Sequence, residues 1–203
     1  MVREMVGEQV IAVFDFDDTL ITKDSFTDFF LSNGSLKKKI ISGIKFFPTY
    51  IKFQIHLISN SQAKQLLLSI LFAGTTTEEF RRICNRYADR LDQLTESLAI
   101  ERVRWHQGKG HEVVIVSASI KEWIEPWARR HGIKNVIATE LETKGGIITG
   151  KFSTPYCYGP EKPKQFLERF PNMDEYKIFF YGDGKSDREM VKIADVVFIK
   201  RFN

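Results

Sequence analysis

Short apolar runs alternate with helical patterns at the start of the chain and over its second half. Residues 10–16 and 113–116 are predicted to be buried strands, because a short apolar run between polar residues fits the centre of a parallel sheet. A segment with apolar residues at helical spacing follows the second strand and ends near Gly132, a residue type common where helices stop. Further strands are predicted at 136–138, 178–181 and 196–199, helices at about 163–170 and 190–194, and a hairpin at 141–152.

This alternation of strands and helices predicts an α/β fold with a doubly wound, Rossmann-like parallel sheet. Residues 20–107 interrupt the alternation, since they show helical periodicity and hardly any strand signal. We therefore expect a core domain formed by residues 1–19 and 108–203, with an inserted helical domain at residues 20–107.

The insertion carries a long apolar stripe. Apolar residues recur along one helix face at Ile40, Ile44, Phe47, Ile51, Ile55 and Ile58. Pro48 is expected to kink this helix. We expect the stripe to pack inside a helical bundle; the alternative is that the lysine-flanked helix lies on an anionic membrane. Lys45 and Lys52 argue against a helix that spans a membrane.

The amino-acid composition argues against several classes of function. The 203 residues are 43% apolar, enough to fill a sizeable core, and the net charge of +4 is mild enough to belong to solvated surface. A nucleic-acid partner is not expected, because basic and aromatic residues form no concentrated patch. Cys84 and Cys157 have neither zinc-site nor disulfide-framework spacing, and residues 1–9 are too polar for a signal peptide. A cytoplasmic protein is predicted.

The first predicted strand runs directly into Asp15, Asp17 and Asp18, three like charges that resist burial unless a cation balances them. Asp183 and Asp187 follow a later strand. Ligands of doubly wound sheets bind outside the carboxyl ends of the strands, so three carboxylates from these two strand ends should converge there. Such an oxygen-rich site suits a hard divalent cation, and Mg²⁺ is the ion expected.

Four segments, DFDDT, VIVSAS, EKPK and GDGKSD, resemble in this order the motifs of the haloacid dehalogenase superfamily. The resemblance covers the whole chain. The helical insertion and the segment CYGPEKPK are similar to the phosphoserine-phosphatase-like branch, subfamily IB. The resemblance therefore implies a Rossmann-like core with an inserted helical C1-type cap.

The resemblance also implies a role for each matching residue. Asp15 would be the nucleophile that forms an aspartyl-phosphate, and Asp17 the general acid and base. Ser117 and Lys162 would hold the phosphoryl oxygens. The residues assigned to Mg²⁺ are Asp15, the backbone carbonyl of Asp17, Asp183 and, directly or through water, Asp187.

Several positions bear on the substrate. Asp17 favours phosphate chemistry, because dehalogenases of the superfamily lack this second aspartate. Asp18 and Ser186 depart from frequent family residues without removing a catalytic group. Asp24 matches a carboxylate that grips the substrate amino group in phosphoserine phosphatases, although an ordinary exposed acid fits equally well. The arginine that holds the substrate carboxylate in those enzymes is not matched, and only Lys64 lies nearby, which argues against phosphoserine.

The sequence thus predicts a Mg²⁺-dependent phosphomonoester hydrolase acting on a small phosphorylated metabolite. The apolar insertion is also similar to caps of bacterial lipid-phosphate phosphatases, such as phosphatidylglycerophosphatases, which would act at a membrane surface. A phosphotransferase would use the same chemistry with another acceptor. A non-catalytic binding module of the same fold is a distant alternative, because every catalytic group is retained. The oligomeric state is left open.

Overall fold

The computed structural model describes residues 9–33, 36–172, 175–184 and 186–200, with the backbone alone for 36–42. The strands of the described residues are β1 (Gln9–Phe14), β2 (Glu112–Ile120), β3 (Asn135–Thr139), β4 (Leu141–Lys144), β5 (Ile147–Phe152), β6 (Tyr176–Gly182) and β7 (Val196–Ile199). The helices are α1 (Ser25–Ser32), α2 (Leu36–Gln54), α3 (Asn60–Phe72), α4 (Thr77–Gln93), α5 (Ser97–Gly108), α6 (Lys121–Arg130), α7 (Glu161–Arg169) and α8 (Arg188–Val191).

A five-stranded sheet forms the centre of the molecule, in the order β3-β2-β1-β6-β7. Every neighbouring pair in it is parallel. The chain runs outward from β1 through β2 and β3 on one side, and then crosses to the other side of β1 with β6 and β7, as in a doubly wound sheet. The predicted fold class is therefore confirmed.

Both faces of this sheet are buried. Ala12 and Phe14 of β1 belong to one hydrophobic cluster, whereas Ile11 and Val13 belong to a second cluster. Successive side chains of a strand point to opposite faces, so each cluster takes every second residue. This explains why the sequence of β1 is continuously apolar rather than alternating.

Several predicted boundaries are wrong by a few residues; for example, β2 extends to Ile120, four residues beyond its predicted end. β1 ends at Phe14, because the chain then turns and the amides of Leu20 and Ile21 donate to the Phe16 carbonyl at 2.9 and 3.1 Å. α7 begins at Glu161, two residues before its predicted start. This is possible because Pro163 fits the first turn of a helix, where its missing N–H is no loss. α8 ends at Val191, where the chain tightens into a turn.

Helices α1 to α5 occupy the described part of residues 20–107, between β1 and β2. The division of the chain into two domains stays a prediction. None of the helices in the described residues combines the length and apolarity needed to cross a membrane.

The apolar stripe of α2 does not pack inside a bundle, so that prediction is wrong. Ile44, Phe47, Ile51 and Ile55 are exposed, by 45 to 70%. The helix continues through Pro48. Its half-buried side chains are instead those of Phe46, Thr49 and Phe53. The reason is that α2 has two apolar faces, of which the second meets the neighbouring helices. Of the other stripe residues, Ile58 is half-buried, and the side chain of Ile40 lies outside the described residues.

The predicted hairpin is confirmed and packs against the helical insertion. β4 and β5 pair antiparallel around Gly145 and Gly146. The amide of Gly74 donates to the Ile148 carbonyl at 3.0 Å, just beyond the end of α3. At Gly150, which has a φ of +82°, a Cβ would overlap the backbone of Ser69 in α3.

We expect Gly150→Ala to lower the free energy of unfolding by about 2–5 kcal/mol. The left-handed backbone costs about 1–2 kcal/mol with a side chain, and the overlap with Ser69 adds an overpacking cost of about 1–3 kcal/mol. Urea denaturation measures this change. The matched control is Gly146→Ala, whose φ is +77° but whose Cβ would meet open space. Equal losses in the two variants would contradict the proposed close approach between hairpin and α3.

Candidate active site

The carboxyl ends of the central strands meet at one edge of the sheet. Asp15 directly follows β1, Ser117 lies late in β2, and Asp183 directly follows β6. All three side chains are buried. The parallel register places β1 between β2 and β6, so these three ends lie side by side.

Lys162 joins these strands through its ammonium group. It lies in the first turn of α7 and is fully buried. Its Nζ donates to Asp15 Oδ1 at 2.8 Å and to Asp187 Oδ1 at 2.6 Å. It also donates to Ser186 Oγ at 3.2 Å. Residues more than a hundred positions apart are thereby held in one buried ion-pair network.

Three carboxylates surround a point beside this lysine. Asp15, Asp183 and Asp187 each offer an oxygen, and these atoms lie within 4.8 Å of one another. Among the described residues, Lys162 pairs with Asp15 and Asp187, and removing ions from water is costly unless they are paired. Such an oxygen donor set fits a hard divalent cation.

The protonation equilibria of the network follow from burial and from these pairs. Burial raises the pKa of Asp15 to about 7; Lys162 opposes this shift and Asp187 adds to it. Burial lowers the pKa of Lys162, but the carboxylates of Asp15 and Asp187 outweigh it and raise that pKa above its ordinary value. The lysine therefore keeps its charge, and Asp15 depends on nearby positive charge to stay ionised near neutral pH.

Asp17 lies at the start of the turn that leads into the insertion. Its Oδ1 accepts a hydrogen bond from the amide of Ser25 at 2.9 Å. Burial, and next the charge of Asp24, raise the pKa of Asp17 to about 6. The following residue, Asp18, has a φ of +55°, a conformation that glycine and asparagine adopt readily and that aspartate tolerates. The departure at Asp18 noted in the sequence thus fits the backbone.

Ser117 is connected to the insertion through hydrogen bonds of Ser119 and Ser25. Its Oγ accepts from the amide of Ser119 at 3.0 Å. The hydroxyl of Ser119 lies 2.5 Å from that of Ser25, at the start of α1. Trp123 Nε1 donates to the same Ser25 hydroxyl at 3.3 Å. No sequence signal distinguishes Ser25 from an ordinary serine at the start of a helix. Its role in this series of hydrogen bonds was therefore not predicted.

Asp187 shapes the loop after β6 as well as pairing with Lys162. Its Oδ2 accepts from the amides of Asp183 and Gly184 at 3.2 and 3.3 Å. A Cβ at Gly182 would overlap this same oxygen. Gly182 is therefore needed for the close approach of Asp187 to the loop.

Asp24 and Lys64 lie near Asp17, and the sequence indicated this group of residues only in part. Asp24 is exposed, and its Oδ1 accepts from the amide of Thr27 at 2.7 Å, which caps α1. Lys64 Nζ lies 4.5 Å from the centre of the Phe26 ring and 5.3 Å from that of Tyr156. Nothing in the sequence pointed to Tyr156, which comes from the loop after β5.

Two further buried groups complete the surroundings. The thiol of Cys157 has its pKa raised to about 12, chiefly by burial and against the effect of Lys162, so it stays protonated. The hydroxyl of Thr19 is buried and has no hydrogen-bond partner among the described residues.

Comparisons with known proteins show the family of the chain. The family model described as haloacid dehalogenase-like hydrolase matches residues 12–192. Protein CicA of Caulobacter vibrioides is 29% identical, over 96% of this chain and 87% of that protein. A protein of Mycobacterium tuberculosis named "Probable phosphatase" is 30% identical, over 89% of this chain and 65% of that protein.

Solved structures share the fold. A protein of unknown function from Bordetella pertussis superposes with a TM-score of 0.79 at 20% identity, covering 94% of this chain and 89% of the other. A structure titled "Phospho-Aspartyl Intermediate Analogue of Phosphoserine phosphatase" gives a TM-score of 0.61 at 17% identity, covering 95% and 86%. At these identities the similarity shows the fold alone.

We expect Lys162→Met to lower the free energy of unfolding by about 3–5 kcal/mol in buffer with a metal chelator, because it leaves buried carboxylates without their cation. Chemical denaturation measures the loss. The matched control is Lys164→Met, on the same helix, whose exposed ammonium lies 3.4 Å from Glu161. That surface pair should contribute less than about 1 kcal/mol. A loss at Lys162 as small as the loss at Lys164 would contradict the ion-pair network.

Proposed function

Because the chain belongs to the haloacid dehalogenase-like hydrolase family, we propose that it is a Mg²⁺-dependent phosphatase that passes a phosphoryl group through Asp15 to water. The substrate class we propose is a small phosphorylated metabolite. One observation carries this proposal: the buried Asp15 is held 2.8 Å from Lys162 within a cluster of carboxylates. A carboxylate fixed beside positive charge suits nucleophilic attack on phosphorus.

Asp15 is the nucleophile in this proposal. Its Oδ1 is bound to Lys162, and its other oxygen attacks phosphorus as the ester P–O bond breaks. Asp17 gives a proton to the leaving oxygen, a role supported by its pKa of about 6, which lets it exchange a proton near neutral pH. Water then attacks the aspartyl-phosphate, its proton passes to Asp17, and the bond between Asp15 and phosphorus breaks.

The neighbouring groups stabilise the transferred phosphoryl group. Lys162 offers a fixed positive charge, and Ser117 offers its hydroxyl hydrogen, since its oxygen already accepts from Ser119. Asp187 is a positioning residue, because it binds both Lys162 and the amides of the loop that carries Asp183.

Asp15, Asp183 and the backbone carbonyl of Asp17 would hold the Mg²⁺ ion, with Asp187 directly or through water. The oxygen donor set supports this assignment. When bound, the ion supplies positive charge that balances the carboxylates and the phosphoryl oxygens.

We propose that residues 20–107 form a cap over this site and select the substrate. Lys64, beside the rings of Phe26 and Tyr156, would meet a second anionic group of the substrate. Asp24 remains a candidate for binding an amino group only through the carboxylate oxygen that does not cap α1.

A lipid phosphate is the second candidate substrate, supported by the exposed apolar side chains of α2. A phosphotransferase would differ only in its acceptor. Turnover measured over amino-acid, sugar, nucleotide and lipid phosphates, with product analysis in added alcohols, separates these possibilities.

Asp15→Asn should lower kcat for a generic aryl phosphate by about a thousandfold or more, because the amide is a much weaker nucleophile of similar shape. Initial rates with added Mg²⁺ measure this, and circular dichroism checks the fold. The control is Asp18→Asn, which removes the same charge nearby and tolerates the left-handed backbone, so its kcat should stay within a few-fold. An Asp15→Asn variant with a tenth or more of normal activity would reject the nucleophile.

A further inference from the structure

The outward side of α2 is apolar and exposed. Ile44, Phe47 and Ile51 have exposed fractions of 70, 60 and 45%. Ile55 and Leu57, just beyond the end of the helix, are 58 and 68% exposed. Soluble proteins rarely expose contiguous apolar patches of this kind without a binding partner.

Basic residues border this apolar face. Lys45 and Lys52 are two helical turns apart and exposed, so they form a row along one side of the stripe. The opposite side of the helix, with Phe46, Thr49 and Phe53, is half-buried. We call Ile44, Phe47, Ile51 and Ile55, together with Lys45 and Lys52, the outer face of α2.

The sequence around the outer face is free of acidic residues. Between residues 29 and 77 there is neither Asp nor Glu, although acids make up 26 of the 203 residues. The same segment contains the lysines Lys37, Lys38, Lys39, Lys45, Lys52 and Lys64. A partner of the outer face must therefore accept apolar side chains and also carry negative charge.

We propose that the outer face of α2 docks on the surface of an anionic lipid bilayer. The helix lies flat, with its isoleucines and Phe47 among the acyl chains just below the headgroups. Lys45 and Lys52 extend their apolar stems along the surface and place their ammonium groups at the lipid phosphates. Each of these lysines should strengthen binding roughly fivefold.

Other partners satisfy only half of this chemistry. A second copy of the chain would cover the apolar residues but bring two acid-free, lysine-rich segments together, which is repulsive. A nucleic acid would neutralise the lysines but leave Ile44, Ile51 and Ile55 in water. An anionic bilayer accepts both kinds of side chain. The inference does not depend on which phosphate ester the enzyme hydrolyses.

Flotation of the full chain with phosphatidylcholine vesicles, with and without phosphatidylglycerol, tests the proposal. We expect binding to the anionic vesicles at low salt and much weaker binding to neutral ones or at high salt. Lys45→Glu/Lys52→Glu should weaken binding more than tenfold, and Ile44→Ser/Ile51→Ser should do the same by removing inserted apolar surface.

Matched controls change exposed residues elsewhere. Lys109→Glu/Lys134→Glu makes the same charge change, and Leu98→Ser removes a side chain that is 47% exposed on α5. These variants should bind vesicles within about twofold of the unchanged chain. All variants should keep their circular dichroism and their aryl-phosphate turnover, so a failure of the proposed catalysis would not affect the binding result.

Three outcomes would overturn the proposal. The unchanged chain does not float with anionic vesicles, or the outer-face variants float as well as the controls. Alternatively, the chain forms a stable dimer that Ile51→Ser dissociates, which would assign the outer face to a second copy.

Discussion

The ion pairs between a fully buried lysine and two buried carboxylates are the constraint on which the rest of the site depends. Lys162 binds Asp15 and Asp187 at 2.8 and 2.6 Å, and none of these groups could be buried alone without a large desolvation cost. The first turn of α7, the end of β1 and the loop after β6 must therefore come together. The same convergence concentrates negative charge beside the lysine, and this concentration supports the proposed divalent-cation site and the proposed nucleophile.

The parallel sheet brings these residues together, because the carboxyl ends of its strands lie side by side. Because β1 lies between β2 and β6, Asp15 and Asp183 need only to follow their strands directly, and Ser117 lies within β2 beside them. Small departures from regular structure then complete the site: Asp18 adopts a left-handed backbone, and Gly182 leaves room for Asp187 against the loop amides. The hydroxyl pair of Ser25 and Ser119 links this edge of the sheet to the insertion by a hydrogen bond.

Much of the fold could be predicted from the sequence, because buried parallel strands are continuous apolar runs and the acidic motifs follow them in order. The residues expected to converge include Asp15, Lys162, Asp183 and Asp187, and these four meet in the structure. The packing of α2 was predicted wrongly, since periodicity shows which residues share a face but not which of two apolar faces meets a neighbour. Tyr156 was missed because its position depends on how the loop after β5 folds back, which no local pattern encodes.

A crystal structure of the protein grown with Mg²⁺ and beryllofluoride, a phosphoryl mimic, tests the central claim most directly. We expect beryllium to be bonded to the carboxylate of Asp15, with Lys162 and Ser117 on the fluorides. We also expect Mg²⁺ to be coordinated by oxygens of Asp15, Asp17 and Asp183 at about 2.0–2.1 Å. Beryllofluoride on a different side chain, or Mg²⁺ bound away from Asp15 and Asp183, would contradict it.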